Sequence, residues 1–366
     1  MKHRTINTGI IGGSMNNQWA SRTHIPVLKD SPHFRITAIG TSNIDTANKS
    51  AAAINAPLAF TVHRALAAAK EVDLVVVSVK VPFHYEAAIA AIAAHKHIYC
   101  EWPLGVSTQQ AKELADSAEQ ANIHHAVGLQ ARQSPEIKYM KQAIKKGEIG
   151  RVLSSTMRVA TQGKGGTADL KNSYLLEKKN GADLLAINGG HSLDALCYIL
   201  GDFKELSSIM NMNYAEAVLQ ETGEKTRKNT ADQIVINGTL TNGASSSIHI
   251  EGGVLPAFRL EIQGEKGAFR LTQERSLGHV QFGRLKLEKA EHIGGAEDIH
   301  WKEISRSSDK DMNPAGYVDR AYHVLAKDIL ANTWDIPGFH DAVKLHELLD
   351  AVRKSAETGK KVILHH

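Results

Sequence analysis

The sequence predicts an α/β protein in two parts. Residues 1–130 are expected to form a dinucleotide-binding Rossmann domain, a doubly wound parallel sheet. Residues 131–366 are expected to form an α+β domain built on a large open, mainly antiparallel sheet. Three observations carry this reading. In the first third, apolar runs at Ile6–Ile11, Phe34–Ile39, Leu74–Val79 and His97–Cys100 alternate with alanine-rich, helix-patterned stretches such as 46–53 and 85–94. That rhythm calls for parallel pairing through right-handed crossovers, with both sheet faces buried. After Arg132 the texture shifts towards longer strands separated by glycine turns. Finally, 366 residues exceed what one hydrophobic core ordinarily serves.

Taken in order, the first domain closes with a helix at 108–121, capped by Ser107 or Thr108, and a strand at 123–129. Ser134-Pro135 opens the next helix, with proline in its first turn, and Gly147-Glu148-Ile149-Gly150 ends it before a strand at 151–161. A glycine- and lysine-rich stretch, Lys164 to Lys179, reads as a solvated loop. A helix over 183–200 follows. Strands at 233–241 and 244–251 flank Asn242-Gly243, a type I′ hairpin signal. Strands at 258–263 and 268–272 form a second hairpin across Gly264–Gly267, and another strand runs over 280–287. Helices at 314–331 and 339–357 and a strand at 361–364 finish the chain, and the polar 215–229 segment reads as the one sizeable loop of the β region.

Composition excludes several classes. A formal net charge of +4, from 43 basic and 39 acidic residues, is spread without a clustered basic face, which argues against nucleic acid. No apolar stretch reaches membrane-spanning length and no signal-like segment opens the chain, so a cytoplasmic protein is expected. Two cysteines, Cys100 and Cys197, are too few for a disulfide framework. No Cys/His spacing suggests a metal, and no G-x-S-x-G elbow suggests a hydrolase. An open sheet with an apolar face left uncovered would predict a homodimer or homotetramer. The closing His365-His366 carries no functional weight.

Candidate chemistry begins at the first turn, where Gly12, Ser14, Met15 and Asn16 occupy the place of a G-x-G-x-x-G motif, with Ser14 and Asn17 in its second and third glycine positions. Glycine lets backbone approach a pyrophosphate. At the end of the second strand stand Thr41 and Ser42 with no carboxylate to repel a 2′-phosphate, which leans towards NADP over NAD. Val79, Lys80 and His84 follow the strand nearest the cofactor crevice; for His84 a capping or packing role competes with cofactor contact. His191, after Gly189-Gly190, has room for a ligand close by.

Together these stretches resemble the Gfo/Idh/MocA family of nicotinamide-dependent sugar and polyol oxidoreductases over nearly the whole chain. The resemblance rests on the opening turn, Val77 to His84, Glu101-Trp102-Pro103, the Gly181 to Asp194 helix and the Lys354 to Val362 segment. It is strongest towards the branch containing the fungal galactose-pathway repressor, through Gln18-Trp19-Ala20, Trp102 after Glu101, and Leu129 to Pro135.

The resemblance implies a nicotinamide cofactor held partly by Glu101, Trp102 and Gln130, with Glu101 facing the nicotinamide ribose. It implies His191 as acid/base towards a sugar or polyol, and Asp194 beside it. The family's catalytic lysine falls on Trp102, and the aspartate four residues before the histidine falls on Ile187. Two outcomes follow: an NAD(P)-dependent dehydrogenase with an atypical site, in which Lys80 or a water replaces the missing lysine while phosphate or ribose binding competes for Lys80, or a catalytically silent NAD(P)-binding sensor that answers to a regulatory protein partner.

Overall fold

The structure, a computed structural model, describes residues 5–16, 18–274, 278–291 and 299–365. Asn17 and His366 lie outside these residues. The chain divides into two compact units, one comprising residues up to Gln130 together with Pro314–His346, the other Ala131–Asn313 with Glu347–His366.

The first unit begins with β1 (Ile6–Ile11), two short helices α1 (Trp19–Arg22) and α2 (His24–Asp30), and β2 (Phe34–Gly40). Helix α3 (Ile44–Ala53) is capped by Asn43, whose side chain accepts from the Thr46 amide. Then come β3 (Leu58–Phe60), α4 (His63–Ala68), β4 (Leu74–Val77), α5 (His84–Ala93), β5 (His97–Cys100), α6 (Thr108–Gln120) and β6 (His125–Val127). Ser107 caps α6 by accepting from the Gln110 amide, as its sequence suggests. The six strands run parallel in the order β3-β2-β1-β4-β5-β6. The order reverses between β1 and β4, the switch point where such sheets bind ligands.

The second unit opens with α7 (Pro135–Lys145), β7 (Val152–Thr161) and β8 (Thr167–Ala168). A five-residue π turn, Leu185–Gly189, leads into α8 (Gly190–Leu200), so the expected continuous helix is wider in its first turn. Strands β9 (Phe203–Asn211), β10 (Glu216–Leu219), β11 (Lys225–Arg227), β12 (Gln233–Leu240), β13 (Ser245–Gly252), β14 (Ala257–Gly264), β15 (Gly267–Glu274), β16 (Arg284–Glu291) and β17 (Lys302–Arg306) follow. Helices α9 (Ala315–Ala331) and α10 (Phe339–Thr358) and strand β18 (Val362–Ile363) end the chain.

Nine strands form one sheet, β17-β16-β15-β14-β7-β13-β12-β9-β18, in which only β7 and β13 pair in parallel. The 215–229 segment is not a plain loop: β10 pairs with β11 on one side and with β8 on the other, forming a three-stranded sheet. Nor is the turn at Asn242-Gly243 of type I′. Leu240 and Ala244 already pair across it, and only Gly243 has a positive φ, of 87°. The loop is therefore three residues long, with glycine at its left-handed position.

Alternation along the strands separates two faces. Met157, Val159, Ile234, Ile236, Ile248 and Ile250 are buried. The opposite face carries ion pairs, Arg158–Glu251, Arg259–Glu261 and Arg270–Glu288. The uncovered face is thus largely polar where an apolar one was expected. Among the described residues no helix is long and apolar enough to cross a membrane.

In the first unit the core joins Ile6, Ile10, Leu28, Ile36, Leu74, Val76 and Tyr99 to Val318, Tyr322 and Leu325 of α9. The second unit buries an ionic knot: the Lys228 ammonium lies 3.0 Å from Asp232 and 2.5 Å from the Thr230 carbonyl. Asp232 also accepts from the Asn213 and Tyr214 amides. Both side chains are fully enclosed. Removing one member strands a buried charge, at a cost of about 3–5 kcal/mol. Asp232→Ala is expected to lose about that much in urea denaturation, and Lys228→Met less, because Asp232 keeps its two amide donors.

Candidate functional site

The glycine turn sits where β1 and β4 diverge. Gly12 has φ +88°, and a Cβ there would lie 2.3 Å from the Ser78 carbonyl oxygen, so no other residue fits without moving backbone. Its amide donates to Gly40, extending the β1–β2 register into the turn. Beyond it, the Met15 amide donates to Ser50 Oγ at 3.1 Å and the Asn16 amide to Ser14 Oγ at 3.2 Å. Met15 and Asn16 are exposed. The helix that usually follows such a turn is split at Thr23 into a four-residue and a seven-residue piece. Thr41 Oγ1 donates to the Asn43 carbonyl, and Ser42 is exposed. As expected, no carboxylate ends β2.

After β4, Lys80 is exposed and Val79 half-buried. His84 is buried, with Nδ1 2.7 Å from the Pro103 carbonyl and Nε2 2.9 Å from that of Val79. Burial holds its imidazole below the usual histidine range, against the opposing pull of the two carbonyls and Glu101. Its ring clamps the segment after β4 to the segment after β5, which is the packing role. Glu101, 9 % exposed, continues β5, its backbone N–H donating to the Val77 carbonyl. Its carboxylate lies 3.0 Å from His24 Nε2, and His24 Nδ1 lies 2.9 Å from the Tyr322 hydroxyl. Tyr322 stacks on Tyr99 with centroids 5.1 Å apart. Trp102 is buried, its indole 4.7 Å from the His346 ring. The indole is packed inside the unit, tilted against that ring.

The fit of this unit to a dinucleotide is tested by what it leaves unsatisfied. Gln130 is 1 % exposed and both atoms of its side-chain amide lack a partner, and Ser78 Oγ is buried in the same condition. Buried polar atoms without partners cost about 1–3 kcal/mol each. A polar group held near the strand ends would satisfy them, as an amide or ribose of a dinucleotide can. Gly12, Glu101 and Gln130 fit that group; it supplies hydride chemistry when bound.

In the second unit His191 opens α8 at 3 % exposure, with Nδ1 buried and unpartnered. Burial, reinforced by His279, pushes its imidazole down to about 3, so it is neutral at physiological pH. Asp194 is 2 % exposed and gripped by Arg132, with Nε 3.0 Å from both carboxylate oxygens and Nη2 2.6 Å from Oδ1. Its charge is committed to that fork. Ile187 lies in the π turn; the polar residue there is its neighbour Asn188, whose Nδ2 is 3.1 Å from His279 Nε2.

Three polar residues of this unit carry no sequence signal of their role. Asn188 carries no motif of its own, and His279 follows a strand end remote in sequence. Lys164 was absorbed into a stretch read as solvated. Its Nζ instead donates to the Ala182 carbonyl at 3.2 Å, and burial pushes its ammonium down to about 7 despite Asp183 and Asp169. Its left-handed backbone, φ +67°, is a local sign that only the structure exposes.

A parallel sheet with this strand order and glycine turn, joined to an α+β unit with a buried helix-start histidine, defines a dinucleotide-binding oxidoreductase architecture. The chain belongs to the Gfo/Idh/MocA family. Residues 6–129 match the oxidoreductase family with NAD-binding Rossmann fold, and residues 135–273 match the C-terminal domain of Gal80p. The chain is 30% identical over 372 residues to dehydrogenase aclE of Aspergillus oryzae, covering 98% of each. It is 30% identical over 313 residues to the galactose/lactose metabolism regulatory protein GAL80 of Kluyveromyces lactis, covering 78% of this chain and 67% of that protein. Among solved structures, levoglucosan dehydrogenase in complex with NADH and L-sorbose shares the fold, with a TM-score of 0.85, 21% identity and 99% of each chain covered.

His24→Leu removes the imidazole 3.0 Å from the Glu101 carboxylate and leaves that carboxylate buried, with an expected stability loss of about 1–3 kcal/mol. It is also expected to weaken nicotinamide dinucleotide binding, read as quenching of tryptophan fluorescence in a titration.

Proposed function

We propose that this protein is an NAD(P)-dependent dehydrogenase or reductase acting on a CH–OH group of a sugar, cyclitol or sugar derivative. The observation that carries this reading is His191: a neutral imidazole, nearly enclosed, with Nδ1 lacking any protein partner. Such an atom is a ready hydrogen-bond partner for a substrate hydroxyl. The names of two relatives, a dehydrogenase of matching length and a levoglucosan dehydrogenase, support the same class.

In this reading Gly12, Ser14, Met15 and Asn16 face the pyrophosphate, and Thr41 and Ser42 the adenine ribose. Glu101 and Gln130 hold the nicotinamide half. The carboxylate-free end of β2 admits a 2′-phosphate, which favours NADP slightly over NAD. Lys80, exposed after β4, serves the cofactor's charge, and His84 and Trp102 shape the wall beneath it. Asp194 orients α8 through Arg132. A homodimer or homotetramer through the open sheet would set its ion-paired rows against those of a second copy.

A second reading has its own observation. Trp102 and Ile187 stand where the family's lysine and aspartate would be, and residues 135–273 match the Gal80p C-terminal domain. A protein that binds the dinucleotide, does no chemistry and answers to a regulatory partner would look like this.

Incubation with NADP or NAD and a panel of sugars and polyols, followed by nicotinamide absorbance, separates the two. The dehydrogenase reading expects turnover that His191→Ala lowers by about 10²–10⁴-fold while dinucleotide binding persists. Binding without turnover on any member of the panel favours the sensor. Binding of neither cofactor, measured by calorimetry, sinks both.

A further inference from the structure

Strand β6 is the last of its sheet, and the chain between α9 and α10 runs along its free edge. The Val127 amide donates to the Pro337 carbonyl at 2.9 Å, and the Phe339 amide donates to His125 Nδ1 at 3.0 Å. Gly338 lies close on that imidazole, since a Cβ there would come within 2.9 Å of its Nδ1 and Cε1. The ring also stacks on Phe339, with centroids 4.9 Å apart. One residue earlier, His124 stacks on Trp334 at 4.3 Å, and its amide donates to His97 Nδ1 at 3.1 Å. Asp328 holds the same connection from α9, accepting from the Asp335 and Ile336 amides at 2.9 Å each. These contacts gather at the amino ends of β5 and β6, whereas Gly12 and Glu101 follow the carboxyl ends of their strands.

An edge strand left open offers its N–H and C=O groups to another chain. The cover over β6 hangs on a ring nitrogen that accepts a hydrogen bond only while it carries no proton. A proton on His125 Nδ1 would point at the Phe339 N–H, so the bond and the charge exclude one another. We propose that His125 is an acid-released pin: its unprotonated Nδ1 fastens the 335–339 connection over the edge of β6, and protonation lets that connection lift off the strand.

The groups facing the pin agree with that geometry. From α10 come His340, its ring 6.2 Å away, and Asp341, which accepts from the Gly338 amide at 2.9 Å. Glu119 of α6 lies 3.4 Å from His340. His124 adjoins the pin, and His97 of β5 lies 5.2 Å from the His124 ring. Burial, then His340 and His124, holds the His125 imidazole down to about 4 against its own carbonyl and Asp341. Burial also keeps His124 below the usual histidine range, against Asp328 and the Asn332 side chain. Once lifted, an imidazole meets water and returns to about 6.5. Above about 6.5 both states are neutral and the pin holds at full strength. As pH falls from there to about 4, the lifted state alone gains the proton, and the lifting constant rises about tenfold per pH unit. Below that, both states are charged and the rise stops.

Hydrogen exchange of the whole protein, resolved to single amides and corrected for intrinsic rates, reads the lifting directly. The Phe339 and Val127 amides are expected to share one opening constant, larger than that of Val76 inside the same sheet. That constant should climb at least about tenfold per pH unit from about 6.5 to about 4. In His125→Asn the side-chain Oδ1 can accept the same amide without titrating, so the climb should shrink by about tenfold per pH unit. His323→Asn, at an exposed position of α9, should leave it unchanged. A Phe339 amide that opens only together with Val76 at every pH overturns the proposal, as does an opening constant that stays flat across the window. A titration of the His125 ring nitrogens in the folded wild type, followed by nitrogen-15 resonance, needs no variant. A midpoint near 4 supports the pin, and one near 6.5 overturns it.

Discussion

The first unit depends on burying the Glu101 carboxylate at the end of β5. A carboxylate taken out of water is tolerated only when paired. Here the pair is His24, fully buried, whose other ring nitrogen meets the Tyr322 hydroxyl. Carboxylate, imidazole and phenol thus link β5, α2 and α9, three elements far apart in sequence. Tyr322 continues the chain by stacking on Tyr99, the residue two before Glu101. The aromatic contact adds about 0.5–1.5 kcal/mol beyond burial. Its greater effect is to leave one position for the carboxylate, beside Gly128, where an added Cβ would come within 3.1 Å of it.

Much of this architecture was legible in the sequence, because the signals involved are periodic. The apolar runs of β1, β2, β4 and β5, the cap at Ser107 and the proline opening α7 depend on neighbours within a few residues, and they form as the pattern indicates. Gly12 was legible for the same reason, since a strand followed by glycine marks a close backbone approach. Less legible were elements whose stability comes from afar. Strands β10 and β11 are short, and they are held because β10 pairs with β11 on one side and with the distant β8 on the other. The Asn242-Gly243 turn is set by the Leu240–Ala244 pairing around it.

The candidate site divides the same way. His191 and Glu101 stand in recognisable stretches. Asn188 and His279 do not, since their contact arises only when a π turn and a distant loop come together. A lysine in a run of lysines and glycines is normally solvated; the ordinary expectation failed at Lys164 because the Ala182 carbonyl and the surrounding protein enclose its ammonium. His84 shows the reverse case. Its position in the sequence points to the cofactor, while both ring nitrogens are occupied by carbonyls of the scaffold.

The chain's return to the first unit has a consequence for biosynthesis. Residues Pro314–His346 complete that unit, and Val318, Tyr322 and Leu325 lie in its core. A ribosome must therefore translate through His346 before the first unit can settle. Until then the nascent polypeptide carries an unfinished hydrophobic surface, a natural client for chaperones, while Ala131–Asn313 emerges between the two pieces that must find each other.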